Sequence, residues 1–291
     1  MYTITGITGK VGGTLARKLL EAKLPVRAVM RDAAKGQTWV DQGAEVAIAE
    51  MEDAKALAQA FAGSEAVFIL PPSEFDPEPG YPEAQKVIDA VVTALKKARP
   101  SRVLCLSTIG ADAHENNLLT QRTMMEEALS TLSIPLTFLR PGWFLENSLW
   151  DVASARDEGV IRSFLQPADK PFAMVATEDI GRIAAELIQQ DWTTGKRVVE
   201  LEGPVRVSPN DLAKAFANAL GHPVRVEIVP RDTWETLFRG QGMKNPLPRM
   251  RMLDGFNEGW IDFPGNGDLA LKGTVSVDTV IRNLVKSATI E

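Results

Sequence analysis

Gly6, Gly9 and Gly12 stand three residues apart in TGITGKVGG, between a strand-like run (Tyr2–Thr5) and an apolar helix pattern. Where a strand gives way to a helix, the free N–H groups of the first turn and the helix dipole favour an anion. Glycine at positions 6 and 9 lets the backbone approach a phosphate closely, and Gly12 lets the helix lie tight against the strand. The spacing is G-x-x-G-x-x-G, whereas the commoner dinucleotide fingerprint is G-x-G-x-x-G; the physical logic of a pyrophosphate turn is the same. A glycine-rich turn of purely structural use is the alternative.

The end of the second strand discriminates between dinucleotides. An acidic residue there holds the ribose hydroxyls of NAD, and a basic one accepts the 2′-phosphate of NADP. The chain offers Arg31, with Lys35 close behind and Asp32 adjacent. A guanidinium binds two phosphate oxygens at once, so the residues favour NADP(H) over NAD(H). Arg31 as a solvated strand end is the competing view.

Other chemistry-bearing residues are few. His114 follows the fifth strand and is either a proton donor near a nicotinamide or a polar loop residue. Cys105 lies in an apolar strand and reads as inert core; His222, in LGHPV, reads as a turn residue. Trp143, Phe144 and Trp150 follow the sixth strand, where open sheets bind ligands. They form either an aromatic substrate pocket or core. Gly240–Asp268, rich in Gly and Pro, is either a mobile cover or irregular packing.

These residues need a scaffold, and the first half supplies its pattern. Strand-like runs at Tyr2–Thr5, Pro25–Arg31, Ala44–Glu50, Glu65–Pro72, Ser101–Thr108 and Ile134–Pro141 alternate with helical patterns. The strands are short, nearly continuous apolar runs, as burial on both faces of a parallel sheet requires. The expected fold class is α/β, a doubly wound parallel sheet of the Rossmann type over residues 1–150. Segments within 174–202 are expected to complete it. A smaller C-terminal α/β part, 151–173 and 203–291, is expected to bind substrate or partner. Within it, the segment after Trp143 reads as a helix, 178–190 as a helix, 196–203 as a strand, 208–221 as a helix and 223–230 as a strand.

Composition narrows the function classes. Over 291 residues, 45% are hydrophobic and 24% charged, ordinary for a globular protein. The net charge of -6, with no long basic run, argues against direct nucleic-acid binding and against an anionic membrane surface. One cysteine and two histidines exclude a disulfide framework and argue for no metal site. No export leader and no membrane-length apolar run is present, so a cytoplasmic protein is expected.

TGITGKVGG, RAVMRDAAK, AVFILPP, LSTIGA and TFLRPGWFLEN, in this order, resemble the NmrA-like group of atypical short-chain dehydrogenases. That group includes redox-sensing regulators, NAD(P)H:quinone oxidoreductases and reductases of azo and triphenylmethane dyes. The resemblance implies that Gly6, Thr8, Gly9, Lys10 and Val11 line the pyrophosphate and that Arg31 faces the adenosine phosphate. It puts Glu50 and Met51 near adenine, and Leu70 and Pro71 beside the adenine-side ribose and the pyrophosphate. Ser107 and Thr108 are implied to lie by the nicotinamide ribose, Pro141, Gly142, Trp143 and Phe144 to flank the nicotinamide, and Asn147 to lie just beyond. Many members of the group keep a Lys four residues before a Glu in the helix after the fifth strand; here Arg122 precedes Glu126. Arg122 can donate to a ribose but cannot be a general acid, because it stays charged. At i,i+4 the two could equally form a surface ion pair worth a few tenths of a kcal/mol.

The Tyr-x-x-x-Lys pair that protonates an alkoxide in the wider superfamily is missing, for the only tyrosines are Tyr2 and Tyr81. Reducing an ordinary ketone needs an acid in the transition state. A quinone becomes a delocalised, weakly basic anion, and a cationic dye becomes neutral on taking a hydride. The expected activity is therefore an NADPH-dependent reductase of small, aromatic, electron-poor acceptors. The alternatives are a non-catalytic redox sensor that binds a protein partner, and a reductase of phenylpropanoid-like substrates. The sequence leaves monomer and homodimer open.

Overall fold

The structure is a computed structural model and describes residues 1–265 and 267–288. The first half alternates as expected: β1 (Tyr2–Ile4), α1 (Lys10–Glu21), β2 (Val26–Met30), α2 (Gln37–Val40), β3 (Glu45–Ile48), α3 (Ala54–Phe61), β4 (Ala66–Ile69), α4 (Pro82–Ala98), β5 (Arg102–Leu106), α5 (Thr120–Leu129) and β6 (Leu136–Pro141). Then follow β7 (Trp143–Phe144), α6 (Val152–Glu158), β8 (Val160–Ser163), β9 (Met174–Val175), α7 (Thr177–Gln189), β10 (Lys196–Glu202), α8 (Pro209–Leu220) and β11 (Arg225–Ile228). The chain closes with α9 (Trp234–Gly240), α10 (Leu247–Glu258), β12 (Leu269–Lys272) and α11 (Val277–Ser287).

Eight strands form one sheet in the order β12-β10-β6-β5-β4-β1-β2-β3, and every pairing in it is parallel. The chain winds outward from β1 through β2 to β3, then returns to β4 and winds the other way. The reversal between β1 and β4 is the topological switch point, where loops splay apart and leave a crevice. The C-terminal half returns β10 and β12 to this sheet.

Both faces of the central strands are covered, which is why β1, β4 and β5 are apolar almost throughout. On one face α1 buries Val11, Leu15, Ala16 and Leu19 and packs on α7. On the other face α3, α4 and α5 cover Val67, Ile69, Val103 and Phe138. A further apolar core gathers Phe172, Phe216, Trp234, Phe238, Leu253, Phe256 and Ile281 beside the sheet. There α8 starts on a capping box, Ser208 with Asp211, and stops at left-handed Gly221.

Two segments differ from the sequence expectation. After Trp143 the chain first pairs β7 with β9 and then makes a 3-10 run, Leu145–Asp151, before α6 begins. Leu145 and Ser148, three apart, are the positions buried in that run, matching the three-residue turn of a 3-10 helix. Gly240–Asp268, apart from Asn266, which lies outside the described residues, is not a loose cover. It contains α10, whose Met250, Met252, Leu253 and Phe256 are buried. Gly255 lets Ile261 fold back on the helix, since a Cβ there would stand 2.6 Å from Ile261 Cδ1.

Candidate functional site

Because the sheet is parallel, all strand ends open on one edge. The positions singled out between Gly6 and Thr108 follow β1, β2, β3, β4 or β5 on that edge or open α1 there, and Lys35 lies one short turn beyond β2.

The glycine turn is tightly determined. Gly6 adopts φ +64, which favours glycine, and a Cβ on it would also meet Leu70 Cβ at 3.0 Å. Gly9 N–H donates to the Gly6 carbonyl at 3.0 Å. A Cβ on Gly12 would sit 2.4 Å from that same carbonyl oxygen, so the helix can pass this close only with glycine there. α1 then begins at Gly9 with no side-chain cap and no acidic residue in its first turn. Its leading N–H groups face the edge without a protein acceptor of that kind, the arrangement that suits a phosphate. Thr8, Gly9 and Lys10 are exposed, and Val11 is buried beneath them.

Arg31 and Lys35 are exposed, and their side chains make no hydrogen bond or ion pair among the described residues; the same holds for Lys10. Asp32 is turned away from this role: its carboxylate accepts from Ala34 N and starts a short 3-10 turn, Ala33–Lys35. Glu50 is exposed and Met51 half-buried at the end of β3. Leu70 is fixed by a backbone N–H bond to Thr5 Oγ1 at 2.8 Å, and Pro71 is buried beside it.

At the α5 side the charges are arranged differently from expectation. Arg122 and Glu126 do not pair. The half-buried Arg122 guanidinium reaches the loop after β4 and donates to Pro71 O at 2.9 Å, Pro72 O at 3.1 Å and Ser73 Oγ at 2.6 Å. Burial pulls it down to about 10, so it remains a cation at neutral pH. Glu126 instead faces β6. Arg140 Nε donates to its Oε1 at 2.9 Å and Arg140 Nη2 to its Oε2 at 2.6 Å. Ser107 Oγ donates to the same Oε1, and Asp112 sits 3.2 Å from Arg140 on the other side. Burial would lower the Arg140 value, but Glu126 and Asp112 outweigh it and hold it above the usual range. Arg140 was not foreseen as part of the site; its signal was a lone cation in the otherwise apolar run TFLRP.

The same loop carries a second tie. Gln121 exchanges hydrogen bonds with Glu74, and the Asp76 carboxylate accepts from Lys244 N at 2.8 Å and Asn245 N at 2.7 Å. These two backbone bonds hold the Asp76 carboxyl below its ordinary value. The loop after β4 therefore runs as a strap from α5 to the start of α10.

Thr108 is half-buried, and its hydroxyl makes no hydrogen bond among the described residues. Pro141 and Gly142 are buried at the exit of β6. Trp143 stacks edge-on against Phe256, centroids 5.2 Å apart at 84°, and belongs to the core beside the sheet. Phe144 packs toward the sheet. Asn147 is exposed, and Trp150 is 88% exposed on the 3-10 run, so it closes no pocket in this conformation. Exposed His114 lines a cavity of about 710 Å³ with Asp112, Glu126, Arg140 and Lys196. That cavity lies against β6, β10 and α5, and none of its lining belongs to the glycine turn.

Neither tyrosine is placed as an acid at this edge. Tyr2 opens β1, at the amino end of the sheet, and its hydroxyl contacts Glu65. Tyr81 is buried, with its hydroxyl donating to Asn117 O at 2.8 Å. Burial pushes the Cys105 thiol up to about 12, so it is inert core. Among the described residues no group of His, Cys, Asp and Glu side chains is placed to hold a metal ion, and no helix is long and apolar enough to cross a membrane.

A family model described as the NmrA-like family matches residues 2–261. The NAD(P)H azoreductase of Xenophilus azovorans is 26% identical over 250 residues, 85% of this chain and 83% of that protein. Quinone oxidoreductase 2 of Escherichia coli K12 is 28% identical over 253 residues, 86% of this chain and 85% of that protein. The triphenylmethane reductase of Citrobacter sp., solved with NADP(H), shares the fold at a TM-score of 0.78 and 20% identity, with 97% of this chain and 99% of that chain covered.

Proposed function

The chain belongs to the NmrA-like family, and from that premise we propose that it is an NADPH-dependent reductase of flat, electron-poor acceptors of the quinone or dye kind. The observation that carries the reading is the uncapped start of α1 at Gly6–Gly12, flanked by Lys10, Arg31 and Lys35, cations whose side chains have no partner among the described residues. The relatives named azoreductase and quinone oxidoreductase support the same chemistry.

In this reading the backbone N–H groups of Lys10, Val11 and Gly12 bind the pyrophosphate, and Gly6 and Gly12 keep the backbone open to it. Arg31, with Lys35, takes the 2′-phosphate. Glu50 and Met51 border the adenine, and Leu70 and Pro71 the ribose beside it. Ser107 and Thr108 face the nicotinamide ribose, while Pro141, Gly142, Trp143 and Phe144 form the wall against which the nicotinamide lies. The acceptor enters beyond that wall, past Asn147 and Trp150. A reduced nicotinamide bound there supplies the hydride. The protein's part would be orientation, with the wall of Pro141, Gly142, Trp143 and Phe144 setting where donor and acceptor lie relative to one another.

Arg122 does not fill the role of the family lysine in this reading; it fastens the strap over the strand ends. With Tyr81 committed to Asn117 and Arg122 to Pro71 and Pro72, neither serves as an acid at this edge. This restricts turnover to acceptors whose reduced anion is weakly basic or whose cation is neutralised by hydride. The test is thermal-shift binding of NADPH and NADH followed by turnover with menadione. Stabilisation by NADPH above NADH, with NADPH consumed by menadione, supports the reading. Binding without turnover across a panel of quinones and azo dyes would leave a dinucleotide sensor in its place.

A further inference from the structure

Ser107 has one hydroxyl proton, and the structure shows where it goes. The hydroxyl donates to Glu126 Oε1, while both carboxylate oxygens of Glu126 accept from Arg140 at 2.9 and 2.6 Å. A carboxylate held in this way has no proton to give back. The Ser107 backbone N–H is likewise occupied, donating to Leu139 O at 2.8 Å. Ser107 Oγ thus retains lone pairs and no donor.

From this, and resting on the reading that Ser107 adjoins the nicotinamide ribose, we infer that Glu126 is a positioning residue that makes Ser107 an acceptor-only contact for the bound cofactor. Glu126 itself touches neither cofactor nor acceptor. It acts through Ser107, and Arg140 acts through Glu126 by fixing the plane of its carboxylate and neutralising its charge in a buried setting; Ser107 is 5% exposed and Glu126 8%. Asp112 closes the set by pairing with the outer side of Arg140.

Two consequences follow. Ser107 selects a donor on the cofactor, such as a ribose hydroxyl. It also cannot donate to a developing alkoxide, so the serine at the end of β5 supplies no acid to the reaction. Thr108, whose hydroxyl has no partner among the described residues, is the neighbouring group that keeps both donor and acceptor capacity. The serine and threonine are adjacent in sequence but unlike in what they can offer.

A double-mutant cycle on NADPH affinity tests the inference with the full chain as wild type, Ser107→Ala, Glu126→Gln and the double variant. The thermal midpoint of each without cofactor is recorded alongside. Ser107→Ala is expected to weaken NADPH about tenfold, the scale of one hydrogen bond. Glu126→Gln is expected to cost about the same, because an amide can donate to Ser107 and turn its proton toward the cofactor. The double variant is expected to lose about tenfold in total, since residues acting as one contact are not additive. A loss of about a hundredfold in the double variant would mean that Glu126 only braces α5, and would overturn the inference; so would a Ser107→Ala protein that binds NADPH like the wild type. If Glu126→Gln does not fold, Glu126→Asp, which keeps the charge but withdraws it by one methylene, takes its place in the cycle with the same expected non-additivity. A wild type that neither binds NADPH nor consumes it with menadione overturns the functional reading and the inference with it, whereas wild-type binding with additive losses overturns the inference alone.

Discussion

Lys10, Arg31 and Lys35 stand exposed around the glycine turn with side chains that hold nothing among the described residues. On α5 and β6, Arg122 and Arg140 are packed in, and between them they engage two loop carbonyls, a hydroxyl and two carboxylates. Both groups of cations lie near the same edge of the sheet. The difference teaches which charges are available to a ligand. A solvated, unpaired cation beside an uncapped helix start loses little when a phosphate arrives. A guanidinium already bonded to loop carbonyls could reach a ribose only by abandoning them, and leaving the part-buried Pro71 carbonyl unpaired costs about 1–3 kcal/mol.

This contrast can be broken or sharpened by substitution. The largest effect is expected at the backbone of the turn. Gly12→Ala would drive a Cβ to 2.4 Å from the Gly6 carbonyl oxygen. It should abolish measurable NADPH binding by calorimetry and lower the thermal midpoint; binding close to wild type would show that the turn is not the phosphate site.

Asp151 shows a third situation, a desolvated carboxyl with no cation paired to it among the described residues. Burial pushes its carboxyl from 3.8 up to about 6, opposed only by a bond from the Arg162 backbone. The fold favours the protonated form, so this contribution is fully present below about pH 4 and is lost as pH rises through about 6. The rise corresponds to about 3 kcal/mol at most. Asp151→Asn should raise the midpoint near pH 8 and leave it unchanged near pH 4. Equal effects at both pH values would mean that the carboxyl is not desolvated.

Arg122→Met and Arg31→Ala form the paired comparison. Arg122→Met is expected to destabilise the protein without cofactor by about 1 kcal/mol, read by urea unfolding, because the part-buried Pro71 carbonyl loses its donor. Arg31→Ala should leave that stability within about 0.5 kcal/mol. It should instead weaken NADPH about tenfold and leave NADH untouched, as loss of one phosphate pair implies. The reverse outcome, stability lost at Arg31 and cofactor discrimination lost at Arg122, would invert the distinction drawn between the two regions.

Much of this was legible in the sequence where interactions are local. The alternation up to Pro141, the glycine turn and the cation after β2 follow from period, turn chemistry and spacing. Return of β10 to the sheet was readable from the apolar run in KRVVELEG. α10 was not, because Pro246, Pro248, Gly255 and Gly259 mask a helix whose Met and Phe positions matter only once Ile261 folds back on it. Nor could the partners of Arg122 and Glu126 be read. The local i,i+4 rule pairs them with each other, whereas the fold delivers Pro71 from 51 residues away to one and Arg140 from β6 to the other. The Asp76 tie spans 168 residues and has no local signal at all.

The central claim is hydride transfer without a protein acid, and the pH dependence of that step addresses it most directly. Wild type pre-loaded with NADPH is mixed with menadione in a single turnover, and NADPH loss is followed from about pH 6 to about pH 9. A rate constant flat across that range, and unchanged in His114→Ala, is predicted. A rate that falls with a protein-like pKa and loses that dependence in His114→Ala would contradict the account and name His114 as the acid.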